Sequence, residues 1–261
     1  MTGSKADIGG AYDRFAGEYD RKLAGEQWMR DVLWRHYLRL FQAGAHVLDA
    51  GCGTGIDTVF LASHGVRVTA IDASAGMMGA LREKLRSSSF SSLVEARVED
   101  IGDLGSRPPL GLDGIVSAYA ALNTTDLDAF AGNAARHLRP GGRLLCHMLA
   151  RGDVWQRLQR LRGHGVHAPP RARDRTIVVG GRAIEHVALT AGEVYRRHFA
   201  SRFRPRRAYG LGFLLPHHLG ARLPRPLGDA MGRLEHALGR LRPMIDWSRF
   251  FVLDLERVRE Q

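Results

Sequence analysis

Asp49, Gly51, Gly53, Gly55 and Asp72 are the residues whose types and spacing could do chemistry. They fall in Val47-Leu48-Asp49-Ala50-Gly51-Cys52-Gly53-Thr54-Gly55 and, seventeen residues beyond Gly55, at the end of Val66-Arg67-Val68-Thr69-Ala70-Ile71-Asp72. Glycine at every second position removes the Cβ atoms that would keep a ligand off the backbone. A carboxylate ending the second apolar run is placed to accept hydrogen bonds from a ribose diol. Asp49, two residues before the first glycine, suits a cationic group better than a pyrophosphate. Three elements must position these residues. Val47 and Leu48 read as a buried parallel strand, Thr58 to Ala62 as a helix that the loop feeds, and Val66 to Ile71 as a second strand. Strand, glycine loop, helix, strand and acid together describe nucleotide binding at the carboxyl edge of a parallel sheet.

Two ligand classes use such an edge. The dinucleotide fingerprint wants glycine or alanine three residues after its second glycine, where the loop enters the helix. Here that residue is Ile56, so the fingerprint fails. Asp49-x-Gly51-x-Gly53-x-Gly55 instead resembles motif I of the class I S-adenosylmethionine-dependent methyltransferases, Asp-x-Gly-x-Gly-x-Gly, in full. The resemblance implies an α/β, Rossmann-like fold: a seven-stranded, mostly parallel sheet with helices on both faces and an antiparallel edge strand. N-terminal helices and an inserted lid complete it. It implies S-adenosylmethionine as cofactor, and methyl transfer to an O, N or C nucleophile of a small molecule. An NAD(P)-dependent oxidoreductase would share the glycine loop and Asp72 but leaves Asp49 unexplained. A non-catalytic scaffold or sensor would keep every cofactor motif, and only turnover separates it.

Further segments agree with this family. Ala11 to Asp20 is similar to the Phe-Asp-x-x-Ala-x-x-Tyr-Asp stretch that precedes the core in ubiquinone- and menaquinone-type methyltransferases. The resemblance implies that Tyr19 reaches the methionine end of the cofactor. Residues 11–42 are expected to be helical, and Arg30 is a candidate partner for the cofactor carboxylate. In the family, the hydrophobic residue at Met77 packs on the adenine; a core methionine is the equal alternative. Cys52 and Ala73 are expected among the cofactor-binding residues as well. Glu99-Asp100-Ile101-Gly102-Asp103-Leu104 looks like the third cofactor segment, with Asp100 accepting from the adenine amino group and Ile101 offering its amide. Leu112 to Ser117 is the fourth strand, and Ser117, Tyr119 and Asn123 are expected at the methyl-transfer centre. The absence of Asn-Pro-Pro-Tyr there argues against DNA-adenine and protein-glutamine substrates. Leu138 to Gly142 supplies the Leu-x-Pro-Gly-Gly that precedes the fifth strand.

The expected organisation is one domain. Residues 1–42 form a helical cap, 43–150 the cofactor-binding core, 151–200 a substrate lid and 201–261 the sheet edge with a helix. Within the lid, Trp155 to Leu161 reads as the start of a helix and Thr176 to Val187 as a hairpin about Gly180-Gly181. Phe203 to Leu211 and Phe250 to Leu255 are strands six and seven. Leu227 to Leu241 is a helix with Met231, Leu234, Leu238 and Leu241 on one face, expected to pack on the sheet, membrane contact being the alternative.

A phenol or alcohol acceptor would need a base; Tyr119, His147 and His217 (or His218) are the candidates. His147 equally reads as a core histidine, and His217 as a solvent-exposed one. No HExxH or CxxC spacing is present, so no metal is expected. The two cysteines, Cys52 and Cys146, read as free thiols, in keeping with a reducing cytoplasm. An apolar content of 44% suits a globular chain. No apolar run reaches the roughly 18 residues of a membrane span, and residues 1–10 carry no signal-type segment. Charge is uneven: residues 1–135 hold 13 Lys+Arg against 17 Asp+Glu, and residues 136–261 hold 25 against 10. That imbalance suits an anionic or lipid-like small molecule. The arginines are scattered, without the aromatic interleaving of a single-strand nucleic-acid platform, so nucleic acid is not expected. A cytoplasmic monomer or homodimer is the expectation.

Overall fold

The computed structural model describes residues 5–152, 154–155, 158, 175–179, 182–186, 188–214 and 224–258. Seven strands form the central sheet in the order β3-β2-β1-β4-β5-β9-β8. They are β1 (His46–Ala50), β2 (Arg67–Asp72), β3 (Val94–Val98), β4 (Leu112–Ser117), β5 (Leu138–Leu149), β8 (Phe203–Leu211) and β9 (Phe250–Arg257). The first five are parallel; β9 runs antiparallel to both β5 and β8 at this edge of the sheet. This is the mostly parallel Rossmann-like sheet that the glycine loop and strand spacing led us to expect. Strand order reverses between β1 and β4, which opens a crevice beyond their carboxyl ends.

Both faces of the sheet are covered, so its strands are apolar on both sides. Leu48, Ile115, Leu144 and Phe251 point to one face and pack with Phe130 and Phe199. Their chain neighbours Val47, Val116, Leu145 and Val252 point to the other, with Leu33, Tyr37, Leu61 and Met78. The helices α2 (Gln27–Leu40), α3 (Ile56–Ser63) and α4 (Ala75–Leu85) serve the second face, and α5 (Leu127–His137) the first. Asp254, buried at the centre of β9, is held by Arg143 of β5 and by His36 Nε2 of α2 at 2.9 Å. His36 Nδ1 in turn meets the Tyr209 hydroxyl at 3.1 Å, so this network ties α2 to the antiparallel edge.

The segment expected to cover the substrate divides into two parts. Strands β6 (Arg175–Val179) and β7 (Arg182–His186) pair as a separate hairpin, in register from Arg175↔His186 to Val179↔Arg182. The short helix α6 (Ala191–Val194) and the π-turn Tyr195–Phe199 instead bury Val194 and Phe199 in the core. Trp155 to Leu161 lies mostly outside the described residues.

Helix α7 (Arg225–Leu238) corrects one expectation. Of the face expected to pack on the sheet, Met231 and Leu238 are half-buried, but Leu234 is 47% exposed and Leu241, just beyond the helix, 54%; Leu227 is 48% exposed as well. The buried side is Gly228, Gly232, Glu235 and Gly239. Glu235 accepts the amides of Gly212 and Leu214 at 2.7 and 2.6 Å, and a Cβ on Gly239 would come within 2.3 Å of the Gly210 carbonyl oxygen. Small residues let the helix backbone approach β8 closely, which turns Leu227 and Leu234 outward.

Candidate functional site

The glycine loop leaves β1 and turns back on β2. The amides of Gly51 and Cys52 both donate to the Ile71 carbonyl, at 2.9 and 3.0 Å. Gly51 has φ +73°, and a Cβ there would lie 2.4 Å from the Ala121 side chain. Only glycine fits the cradle at this point. Gly53, at φ +55°, aims its amide at Asp72 Oδ2 (2.9 Å), while the Ser74 amide takes Oδ1 (2.9 Å). Two backbone donors fix the carboxylate and leave lone pairs on both oxygens for a ligand. Burial pushes the Asp72 carboxyl above its ordinary range, and the amides of Ser74 and Gly53 oppose that.

Above the loop lies a cavity of about 400 Å³. It is lined by Gly51 and Gly53, by Asp72, Ala73 and Met77, and by Asp100, Ile101 and Gly102. Ala118, Tyr119 and Ala121, and Gly9, Tyr12 and Tyr19 of α1 (Lys5–Leu23), complete the lining. Ser74 caps α4 by accepting the Met77 amide, and Asp100 caps the turn Ile101–Ser106 by accepting the Gly102 amide at 2.7 Å. A cavity of this volume and lining has room for a nucleoside.

A second pocket of about 10 Å³, room for one water, shares Tyr19, Gly51, Ala118 and Tyr119 with the first. Here stand Arg30, Asp49, Cys52 and Asp57. Asp49 accepts from Thr58 Oγ1 at 2.6 Å, and its carboxyl is pushed up to about 7 by burial and by the neighbouring Asp57 charge. Arg30 Nη1 donates to Asp57 Oδ2 at 2.6 Å, Trp34 Nε1 donates to Asp57 Oδ1 at 2.7 Å, and the guanidinium lies 4.2 Å over the Tyr119 ring. The thiol of half-buried Cys52 is pushed well up by desolvation, which keeps it neutral.

Three expected site residues do other work. Asn123 clasps the end of β5, its amide bonding the Leu149 carbonyl and N–H at 3.0 Å each. Ser117 Oγ donates to the Ala50 carbonyl at 2.8 Å, linking β4 to β1. Neither lines the two pockets. His147 Nδ1 accepts the Tyr119 amide at 3.1 Å and its carbonyl accepts the Ala120 amide at 3.0 Å. Tyr119 and Ala120 have φ +51° and +70°, so His147 pins a strained turn. Burial, then the Arg30 charge, pushes its imidazole down to about 3. Burial also pushes the Tyr119 phenol up, and its hydroxyl donates to the Glu26 carbonyl at 3.3 Å. Neither group is set up as a base near neutral pH. His217 and His218 lie outside the described residues.

Asp13 and Asp57 carry weight that sequence reasoning missed. Asp13 Oδ1 accepts from Ser74 Oγ at 2.6 Å and from the Gly76 amide at 2.7 Å, stapling α1 over the cavity. Asp20 adds a second staple, to Thr54 Oγ1 and to Lys84 at 2.6 Å. Asp13→Ala is expected to raise trypsin cleavage within α1 about tenfold, because the lost bonds are worth roughly 1–2 kcal/mol. Cleavage at the wild-type rate would show that the staple does not hold the helix.

A concavity of about 530 Å³ also opens at the opposite, amino-terminal edge of the strands, between Arg39, Arg139 and Arg143. Asp113 and Asp254 pair with the latter two, and none of the glycine-loop residues reaches it. Among the described residues there is no cluster of three or more His, Cys, Asp or Glu able to hold a metal, and no helix long and apolar enough to cross a membrane.

The same region matches known proteins. Residues 47–142 fit the family model described as a methyltransferase domain. The demethylmenaquinone methyltransferase of Tropheryma whipplei (strain Twist) is 34% identical over 143 residues, 54% of this chain and 58% of that protein. The malonyl-[acyl-carrier protein] O-methyltransferase of Serratia marcescens is 31% identical over 166 residues, 60% of each chain. The chain thus spans less than two thirds of these relatives. Among solved structures, the [4+2]-cyclase SpnF superposes with TM-score 0.68 at 16% identity, covering 99% of this chain and 98% of that one. Geranyl diphosphate C-methyltransferase from Streptomyces coelicolor A3(2) superposes with TM-score 0.58 at 19% identity, over 92% and 84%. At such identities the superpositions speak for the fold.

Proposed function

We propose that the chain is a class I S-adenosylmethionine-dependent methyltransferase that methylates an O, N or C nucleophile of a small molecule; the fit of residues 47–142 to a methyltransferase-domain model and the methyltransferase relatives support this reading. The observation that carries the reading is the convergence of Gly51, Gly53, Asp72, Met77, Asp100 and Ile101 on one cavity at the strand-order reversal. The Gly51 cradle, which a Cβ would fill, fits close passage of a cofactor.

In this proposal Asp72 accepts from the ribose diol, while Met77 and Ile101 sandwich the adenine. Asp100 accepts from the adenine amino group. Tyr19 and Arg30 attend the methionine carboxylate, and Asp49 its ammonium. The cofactor supplies a methyl group already activated on a sulfonium. The protein then contributes chiefly alignment and exclusion of water, and alignment alone can supply on the order of 7–11 kcal/mol. With His147 and Tyr119 neutral and engaged, the proposal favours an acceptor that attacks without a strong protein base. A lipid-like or anionic acceptor fits the basic C-terminal half. Relatives named for demethylmenaquinone and ubiquinone biosynthesis support the lipid-like class.

Calorimetric titration with S-adenosylhomocysteine and, separately, NADH tests the cofactor. Micromolar binding of the first alone is expected, and binding of NADH alone would overturn the proposal. Labelled S-adenosylmethionine offered with isoprenoid quinol precursors then tests transfer; a protein that binds the cofactor but methylates no acceptor would be a scaffold.

Asp49 makes the binding pH-dependent. In the free protein burial and the Asp57 charge push its carboxyl up to about 7. Pairing with an ammonium requires the carboxylate, so binding below that pH must release a proton. Affinity for S-adenosylhomocysteine is expected to rise roughly tenfold per pH unit towards pH 7 and then level off. Asp49→Asn should bind more weakly and flatten the profile; a wild-type profile already flat from pH 5 to 8 would remove Asp49 from this role.

A further inference from the structure

Helix α7 is built inside out for a helix that only serves the core. Its buried side is glycine and one carboxylate, while Leu227 and Leu234 face solvent. Leu227 and Leu234 lie seven residues apart on one face of the helix, and Leu241, exposed just beyond its end, extends that apolar patch. Ala230 and Ala237 are exposed beside that patch, and the exposed arginines Arg233 and Arg240 run along its far edge, followed by Arg242. Trp247 of the next helix, α8 (Arg242–Trp247), is 40% exposed as well. Among the described residues these four account for most of the large apolar side chains left in water.

The charge around this patch is mostly basic. Arg35 and Arg39 of α2 and Arg240 converge on His236, whose imidazole is pushed down to about 4 by burial and then by those cations and His36. Asp229 and Asp246 are the exposed acids nearby. Close packing of Gly232 on Trp28 and of Gly239 on Gly210 keeps α7 flat against the body, so its outer face lies tangent to the molecule. An apolar patch flanked by arginines on a tangential helix is the geometry of an interfacial helix, leucines entering the acyl boundary and guanidinium groups reaching phosphates.

We propose that the outward face of α7, with Leu227, Leu234 and Leu241 and the flanking Arg233, Arg240 and Arg242, is a docking surface for an anionic lipid bilayer. The favoured occupant follows from charge complementarity: the half of the chain that carries this helix has 25 basic residues against 10 acidic ones. Because Trp28 and Arg30 sit in the first turn of α2 beside α7, a bilayer there would lie alongside the cofactor crevice.

The test is co-sedimentation of the full chain with vesicles of mixed phosphatidylglycerol and phosphatidylcholine, and with phosphatidylcholine alone. The full chain is expected to bind the mixed vesicles, and to bind them less as salt rises. Substituting Leu227→Ser, Leu234→Ser and Leu241→Ser together should weaken that binding about tenfold or more, with the melting temperature unchanged. Arg233→Gln, Arg240→Gln and Arg242→Gln together should remove the preference for phosphatidylglycerol. No binding to the mixed vesicles, or undiminished binding by the folded leucine variant, would overturn the proposal. So would a dimer, seen by sedimentation velocity, that the leucine substitutions dissociate, since the patch would then be a self-association surface.

Discussion

Asp57→Ala is expected to cost about 3–5 kcal/mol of stability, the loss typical when one member of a buried ion pair is removed. Arg30 and Asp57 have side chains only 4% and 7% exposed, with Nη1–Oδ2 at 2.6 Å. Without the carboxylate, the guanidinium stays in a dry site over the Tyr119 ring, which offers it much less than a counter-ion. Trp34 Nε1 loses its acceptor at the same time. Asp57 also sits in the first turn of α3, where a negative charge faces the positive end of the helix dipole. In a chain of this size the loss corresponds to roughly 10 °C in melting temperature. Asp57→Asn, which keeps a hydrogen-bond acceptor but no charge, should fall between. A melting temperature for Asp57→Ala within 2 °C of wild type would mean that Asp49 takes over as counter-ion.

For the cofactor, Asp72→Ala is the substitution with the largest expected effect, a 10- to 100-fold loss of affinity for S-adenosylhomocysteine. Charge-assisted bonds to a diol are worth about 1.5–3 kcal/mol each, and part of that is recovered by water. The same carboxylate anchors the Gly53 and Ser74 amides, so the variant also loosens the loop. Asp72→Asn separates the two effects: it can still accept an amide but cannot supply charge. Calorimetry on variants whose melting curves remain cooperative is the check. A folded Asp72→Ala protein with unchanged affinity would remove Asp72 from the ribose position.

The sheet was legible because its signals are local. Val47-Leu48 and Ile115-Val116 are runs too apolar for a strand with one wet face, which points to burial on both sides. The Asp100 and Ser74 turns carry cap residues that act on amides two and three positions away. The antiparallel pairing of β9 between β5 and β8 leaves no such trace, because strand order depends on which edges meet in space.

Side-chain partnerships across long separations were not legible. Asp13 and Gly76 lie 63 residues apart, Arg30 and Asp57 27 apart, and nothing local distinguishes these acids from solvated ones. His147 shows the converse. Its type suggested a base, but its place beside the Tyr119–Ala120 turn spends the ring on a backbone amide. Asn123 is likewise a brace for β5.

By itself, then, the sequence determined the α/β class, the glycine loop and the acid that ends β2, because strand runs, helix caps and loop glycines act over a few residues. It also put Met231, Leu234, Leu238 and Leu241 at helical spacing, since periodicity belongs to the helix alone. Only the tertiary structure decided which way that face turns, because the close approach permitted by Gly232 and Gly239 outcompetes the leucines for contact with α2 and β8. It alone decided which buried charges meet, since the desolvation that makes such pairs matter exists only once the chain is packed.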